Sequence, residues 1–176
     1  MLLEDIKGKL RLHHLEVKEN RYEDILELYK GNEEYARLSN NYPPTIESVR
    51  KDVEDIPPFT DASRKHFISI YNKYNELVAV LDIIDEYSFQ NKNNKEAIWI
   101  GLLEIDMNKH NTGLGSLIIN TLFEVCKNNS KTIVQLGVIK ENTKALSFWK
   151  KVGFEVFKEG NNGEFNLFLM EKVLSC

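Results

Sequence analysis

Residues Ile98 to Phe123 read IWIGLLEIDMNKHNTGLGSLIINTLF, and the order of residue types in this stretch decides the fold. It opens on an almost unbroken apolar run, Ile98 to Leu103, whose length and composition suit a buried strand. A polar turn from Asp106 to Thr112 leads into Gly113-Leu114-Gly115-Ser116, after which Leu114, Leu117, Ile118, Leu122 and Val125 recur at helical spacing. Strand, glycine turn and helix in that order aim several unpaired backbone N–H groups, and the positive end of a helix dipole, at one point suited to a phosphate group. Glycine serves there because it accepts positive φ and has no Cβ to hold a phosphate away from the backbone. A plain tight turn would explain the same pair. The dinucleotide fingerprint is absent, since its third glycine would fall on Ile118, and there is no phosphate-loop Gly-Lys-Ser/Thr.

Working outward, 176 residues suffice for one domain with a core that needs no disulfide or metal, and residues 1–176 are taken as a single unit. With 42% apolar and 28% charged residues, global disorder is excluded. A net charge of −4 gives no general attraction to nucleic acid or to an anionic membrane, so any anionic ligand must be held locally. Cys126 falls on the apolar side of the glycine-started helix and reads as a core thiol, whereas Cys176 is a chain-end thiol; their separation suggests neither a disulfide framework nor a zinc site. The opening MLLEDIKGKLRLHH lacks the apolar core of a signal peptide, and no run reaches membrane-spanning length, which points to the cytoplasm.

Upstream, Lys9 to Val17 alternates well enough for a first strand, with His13 and His14 on opposite faces and so unable to share a metal. Asn20 with Glu23 resembles a helix cap, and Ile25, Leu26, Leu28 and Tyr29 supply a buried stripe. A short helical piece, Glu33 to Leu38, carries Tyr35. After Tyr42-Pro43-Pro44, Thr45 caps a helix with Ile46, Val49, Val53 and Ile56 on one face, stopped at Pro57-Pro58. HFISIYN and LVAVLDIIDEYSF form a hairpin with Phe67, Ile68, Val78, Val80 and Ile83 inward. Downstream come a buried strand, Thr132 to Ile139, and a helix from Asn142 ending at Gly153. A last hairpin pairs Phe154 to Lys158 with Phe165 to Val173. The sum is an α/β (α+β) domain, a mixed and mostly antiparallel sheet of about six or seven strands flanked by about four helices.

Two segments in this order resemble the GCN5-related N-acetyltransferase (GNAT) superfamily. The family's Gln/Arg-x-x-Gly-x-Gly/Ala is similar to His110-Asn111-Thr112-Gly113-Leu114-Gly115. Its Asn-x-x-Ala-x-x-Phe/Leu-Tyr-x-x-x-Gly-Phe is similar to the run Asn142 to Phe154, through Ala145, Phe148, Trp149 and Gly153. The resemblance implies acetyl-coenzyme A bound by residues 97–154, in a notch where the central strand splays from TIVQLGVI. It implies that backbone groups of Leu103, Glu104 and Ile105 pair with the pantetheine arm as an added strand does. The N–H groups from Asn111 through Thr112, Gly113, Leu114 and Gly115 to Ser116 would hold the pyrophosphate. Asn142 would hydrogen-bond the cofactor, and Phe148 and Trp149 would flank its thiol end. Lys109, His110, Lys140, Lys144, Lys150 and Lys151 gather near that notch in an otherwise acidic chain, which suits a polyanion; a solvated lysine face would look the same.

Three departures bear on mechanism. His110 replaces Gln/Arg, Gly137 stands where several members place a glutamate, and Trp149 stands where many carry the tyrosine that protonates the leaving thiolate. A thiol of pKa about 8.5 departs from near-neutral water at a cost of roughly 2 kcal/mol, so the missing acid is tolerable. An alkyl-ammonium of pKa about 10.4 must lose a proton first, at roughly 4–5 kcal/mol at pH 7, so a base is needed. Candidates are Glu104 and Asp82, with Asp85 and Glu86 behind them.

The family resemblance also implies that the early helices shape the acceptor side, where Tyr35 and Asp82 become candidate contacts among Glu33, Glu34, Asp52, Glu54 and Asp55. The expectation is an acetyl-CoA-dependent N-acetyltransferase acting on a small-molecule primary amine, without metal or nucleic acid, as a monomer or homodimer. A coenzyme A-binding module without catalysis, or an enzyme of protein N-termini or lysines, are the alternatives.

Overall fold

The structure, a computed structural model, describes residues 1–175, and Cys176 lies outside the described residues. Six α-helices are present among them: α1 (Leu2–Arg11), α2 (Tyr22–Gly31), α3 (Glu33–Leu38), α4 (Ile46–Glu54), α5 (Leu114–Asn128) and α6 (Thr143–Lys151). The strands are β1 (Glu16–Lys18), β2 (Lys65–Tyr71), β3 (Leu77–Asp85), β4 (Ala97–Ile105), β5 (Ile133–Ile139), β6 (Glu155–Asn161) and β7 (Asn166–Val173). They form one sheet in the order β1-β2-β3-β4-β5-β7-β6, antiparallel throughout except for β4 beside β5. The expected α/β architecture is present, with more helix than expected.

The extra helix is α1. Lys9 to Arg11 belong to its last turn and not to a strand, and strand pairing is confined to Glu16–Lys18. Leu2, Ile6 and Leu10 are buried at i, i+4 and i+8, while Leu12, half of the apparent alternation, is exposed. Glu4 and Asp5 in the first turn, with Lys9 and Arg11 in the last, complement the helix dipole. His13 and His14 follow the helix in a turn, both exposed. The Asn20 cap is also corrected: the helix starts after Arg21 without a side-chain cap, and Asn20 instead accepts from Ser69 Oγ at 2.6 Å and donates to the Phe67 carbonyl. Thr45 does cap α4, in a reciprocal pair with Ser48.

Both faces of the sheet are covered. On one, α1, α5 and α6 bury Ile6, Leu10, Ile118, Leu122 and Trp149 against Ile68, Leu81, Ile98 and Leu136, and Cys126 is buried here, its thiol pushed up to about 12 by desolvation. On the other, α2 and α4 bury Ile25, Leu28, Tyr29 and Val49 against Val80 and Leu102.

The central strand is kinked. Asp82 pairs with Leu102 and Ile83 with Ile100, so Gly101 is an unpaired bulge residue. The bulge shifts the alternation by one: Ile98 and Ile100 face the α5 side before it, Leu103 and Ile105 face that side after it, and Leu102 and Glu104 turn toward α2 and α4. A side chain at Gly101 would put its Cβ 2.8 Å from Asp82 Oδ2, so the bulge needs glycine to let that carboxylate lie over it.

Candidate functional site

Strands β4 and β5 pair only from Ala97–Ile133 to Ile100–Leu136, although β4 runs on to Ile105 and β5 to Ile139. Beyond the bulge they part, leaving a notch. Asp106 N–H donates to the Val78 carbonyl of β3, and because successive strand residues point their backbone groups to opposite sides, Glu104 also faces β3. The backbone groups of Leu103 and Ile105 therefore face the notch. Of the three residues expected to pair with a pantetheine arm, Leu103 presents its main chain to it, Ile105 offers its N–H because its carbonyl accepts from Asn32 and His110, and Glu104 contributes its side chain instead.

The turn after β4 is organised around the end of that strand. Asp106 accepts from Asn108 N–H, a single 3-10 turn spans Met107–Lys109, and Thr112 Oγ1 donates to the Lys109 carbonyl. His110 Nε2 lies 2.9 Å from the Ile105 carbonyl, so that nitrogen carries the proton. Asn111 takes positive φ at 58°, and Gly113, which precedes α5, sits at φ 87° with open space where a Cβ would stand. Leu114, Gly115 and Ser116 form the first turn of α5, whose N–H groups have no partners within the helix. A Cβ at Gly115 would meet the Phe148 ring at 3.2 Å, so close packing of α5 on α6 is the reason for glycine there.

Across the notch, Asn142 accepts from Ala145 N–H and caps α6. Phe148 lies half-buried against Gly115, whereas Trp149 is only 7% exposed, packed edge-on to Phe148 at 4.9 Å and Phe154 at 5.2 Å. The indole is part of the core. Lys144 pairs with Glu34 of α3, and Lys140 with Glu159, so two of the clustered cations are neutralised in place. Glu34–Lys144 joins helices from opposite faces of the sheet, and Asn40 Nδ2 donates to Glu164 at 3.0 Å, tying the α3–α4 loop to the last hairpin.

On the α2/α4 side of β4 lies a chamber of ionisable side chains. Glu104 is 7% exposed and accepts from Asn32 Nδ2 at 3.0 Å. Burial pushes its carboxyl up to about 8; the Asn32 hydrogen bond opposes this and the nearby Asp52 charge adds to it. Asp52 on α4, itself raised by burial, accepts from the Tyr29 phenol at 2.8 Å. Tyr35 on α3 is raised by burial and by the charges of Glu104 and Asp52, which places it in the same group. Asp82 is raised to about 6 by burial against the opposing pull of Lys65, its 2.8 Å partner, and its Oδ1 is buried without a hydrogen bond. Glu104 and Asp82 share one face of adjacent strands, diagonal to each other, because Val80 pairs with Glu104 and Asp82 with Leu102. Asp85 pairs with Lys131 and Glu86 lies near Arg64, so neither belongs to the chamber.

Asn32, Tyr29 and Lys65 were not foreseen as members of this group, and Asp52 was expected only as one of several acidic residues on the acceptor side. They come from three elements and the α2–α3 junction, separated by up to dozens of residues, and only Asn32, an asparagine set between two helical runs, carried a local signal. An open cleft of about 580 Å³ lies elsewhere, at the β1–β2 edge between α1 and α4. Among the described residues no group of three or more His, Cys, Asp or Glu is arranged for a metal, and no helix is long and apolar enough to cross a membrane.

A family model described as the acetyltransferase (GNAT) family matches residues 22–154. No curated protein matches the chain. Among solved structures it is similar to an acetyltransferase from Thermus thermophilus, with a TM-score of 0.68 and 20% identity over 91% of this chain and 97% of that one. It is also similar to Ard1 from Thermoplasma volcanium, with a TM-score of 0.62 and 19% identity over 93% and 99%. A third is the ribosomal-protein-S18-alanine N-acetyltransferase of Escherichia coli, with a TM-score of 0.62 and 10% identity over 92% and 95%. At these identities the likeness concerns the fold.

Proposed function

The chain belongs to the GNAT acetyltransferase family, and from that premise we propose that it moves an acetyl group from acetyl-CoA to a small-molecule primary amine by direct attack in a ternary complex. Acetyl-CoA supplies the activated acyl group. The residues present fit such a co-substrate: Gly113 leaves open space beside the free N–H groups of the first turn of α5, and Leu103 and Ile105 turn main-chain groups into a gap between strands.

The observation that carries the proposal is the Glu104 carboxyl, buried one residue from the notch-facing main chain and raised to about 8. Taking a proton from an ammonium of pKa about 10.4 costs a carboxylate of pKa about 4.3 roughly 8 kcal/mol, but a base at 8 only roughly 3 kcal/mol. Burial thus brings Glu104 into the range a base needs. Glu104 takes the amine proton, and the Leu103 N–H, aimed into the notch, donates to oxygen as negative charge gathers there. Trp149 offers no proton, and none is demanded for a thiol of pKa about 8.5. Tyr35 and Asp52 flank the chamber where a cationic acceptor would sit.

The Asn40–Glu164 and Glu34–Lys144 contacts narrow the approach on that side, which supports a small acceptor over an extended protein segment. The test is release of free thiol from acetyl-CoA across a panel of mono-amines, polyamines, aminoglycosides and amino-terminal peptides. Thiol release that depends on a small amine is expected; tight acetyl-CoA binding with no turnover on any amine would make this a binding module, and turnover on peptides alone would reassign the acceptor.

A further inference from the structure

We infer that Asn32 is a positioning residue for the reaction: planted where α2 breaks into α3, its side-chain amide fixes the Glu104 carboxylate and ties it to the end of β4. The inference rests on the reading of Glu104 as proton acceptor.

Asn32 is 6% exposed and stands at the N-cap position of α3, yet its side chain makes no capping bond. An asparagine there ordinarily satisfies a free N–H of the following turn. Here that role is given up. Nδ2 donates instead to Glu104 Oε1 at 3.0 Å and to the Ile105 carbonyl at 2.9 Å. The Ile105 carbonyl can only accept, so the carboxamide has one orientation; turned over, Oδ1 would face that oxygen. The main chain holds it from both sides, its N–H donating to the Tyr29 carbonyl and its own carbonyl accepting from Ala36 N–H. A local helix rule broken in favour of a buried carboxylate points to that carboxylate's use.

The Ile105 carbonyl receives Asn32 from the acceptor-side helices and His110 Nε2 from the turn before α5. One oxygen therefore joins the two ends of the site. The other groups near Glu104 are Tyr29 on α2, Tyr35 on α3, Asp52 on α4 and, beyond them, Asp82 with Lys65 on β3 and β2. Among the described residues Asn32 alone donates a hydrogen bond to Glu104. Its removal leaves burial and the Asp52 charge unopposed.

The test compares wild type, Asn32→Ala and the isosteric Asn32→Asp, with urea midpoints to verify folding. The Glu104 carboxyl is titrated by carbon NMR of glutamate-labelled protein, assigned with Glu104→Gln, and kcat/KM for the amine is followed against pH. The midpoint is expected to rise by at least one pH unit in either variant. The acidic limb of kcat/KM should move with it, losing at least about eightfold at pH 7.5 while Kd for acetyl-CoA stays within threefold. Asn32→Asp keeps the shape and carries the test if the alanine variant unfolds. An unmoved Glu104 midpoint in a folded variant overturns the inference. A midpoint that moves while the rate profile stays put overturns the assignment of Glu104 as proton acceptor instead, so the two failures read differently.

Discussion

The turn from Asp106 to Ser116 and the chamber around Glu104 meet at the last residues of β4, and they are built on opposite plans. The turn is contiguous: its useful groups are main-chain N–H donors, set by one positive φ at Asn111, another at Gly113, and the start of a helix. Its side chains mostly brace the loop itself. The chamber is convergent, with Tyr35, Asp52, Asp82 and Glu104 arriving from four elements and Asn32 from the α2–α3 junction, acting through side chains whose properties come from burial. Contiguous backbone devices are specified by local sequence, whereas a perturbed carboxyl is specified by everything packed on it.

The comparison is tested hardest by Glu104→Gln. Loss of the proton acceptor should lower kcat by about 10²–10⁴, the usual range for general base catalysis, with acetyl-CoA affinity within twofold. Its stability should move the other way. A carboxyl raised in the fold favours its protonated form there, so the wild-type contribution is fully present below the unfolded value near 4.5 and is lost as pH rises through about 8. The variant should therefore gain on wild type in urea midpoint between pH 5 and 9, by at most about 5 kcal/mol. A gap independent of pH would mean that Glu104 titrates like a surface acid.

Next in size is Lys65→Met. Lys65 and Asp82 are largely buried together, and stranding one partner of such a pair costs about 3 kcal/mol. Asp82 is raised to about 6 even with Lys65 beside it, so the loss should be large at pH 8 and shrink by pH 5, where the orphan carboxyl is protonated. Urea unfolding at the two pH values measures it. Gly113→Glu tests the other plan: a positive φ of 87° costs a side chain about 1–2 kcal/mol, and the carboxylate stands among the N–H donors. Acetyl-CoA affinity should fall at least tenfold by calorimetry while the Glu104 limb of the pH profile stays in place. Smallest is Lys144→Ala, whose pair with Glu34 is exposed on both sides; stability should change by less than ~1 kcal/mol.

The same division explains what could be read from sequence. The run from Ile98 to Phe123 displays its strand, turn and helix openly because each depends on neighbours in the chain, and the hairpins and the Thr45 cap are legible for that reason. Helix α1 was hidden because Leu10 and Leu12 alternate as a strand would, and only burial shows that Leu2, Ile6 and Leu10 are the set that matters. The bulge had a signal, a glycine inside an apolar strand, but its effect on which way Glu104 points needs the pairing register. Trp149 sits at a motif position and also on the apolar stripe of its helix with Ala145, Phe148 and Val152, and its ring follows that stripe inward, between Phe148 and Phe154. Asp52 and Lys65 are ordinary surface residue types until α4 and β2 enclose them.

The contact between Glu34 and Lys144 has a mechanical meaning. A continuous sheet insulates the elements above it from those below, and here two of them touch because the sheet is breached between β4 and β5. The fastener is a solvent-facing pair, screened over about 8 Å at physiological ionic strength, so thermal motion undoes it readily. Salt slackens this latch and also the pull on an incoming polyanion. On the proposed function the first effect would open the acceptor-side approach that this pair narrows and the second would slow capture of the co-substrate, so the two association rates would answer differently to added salt.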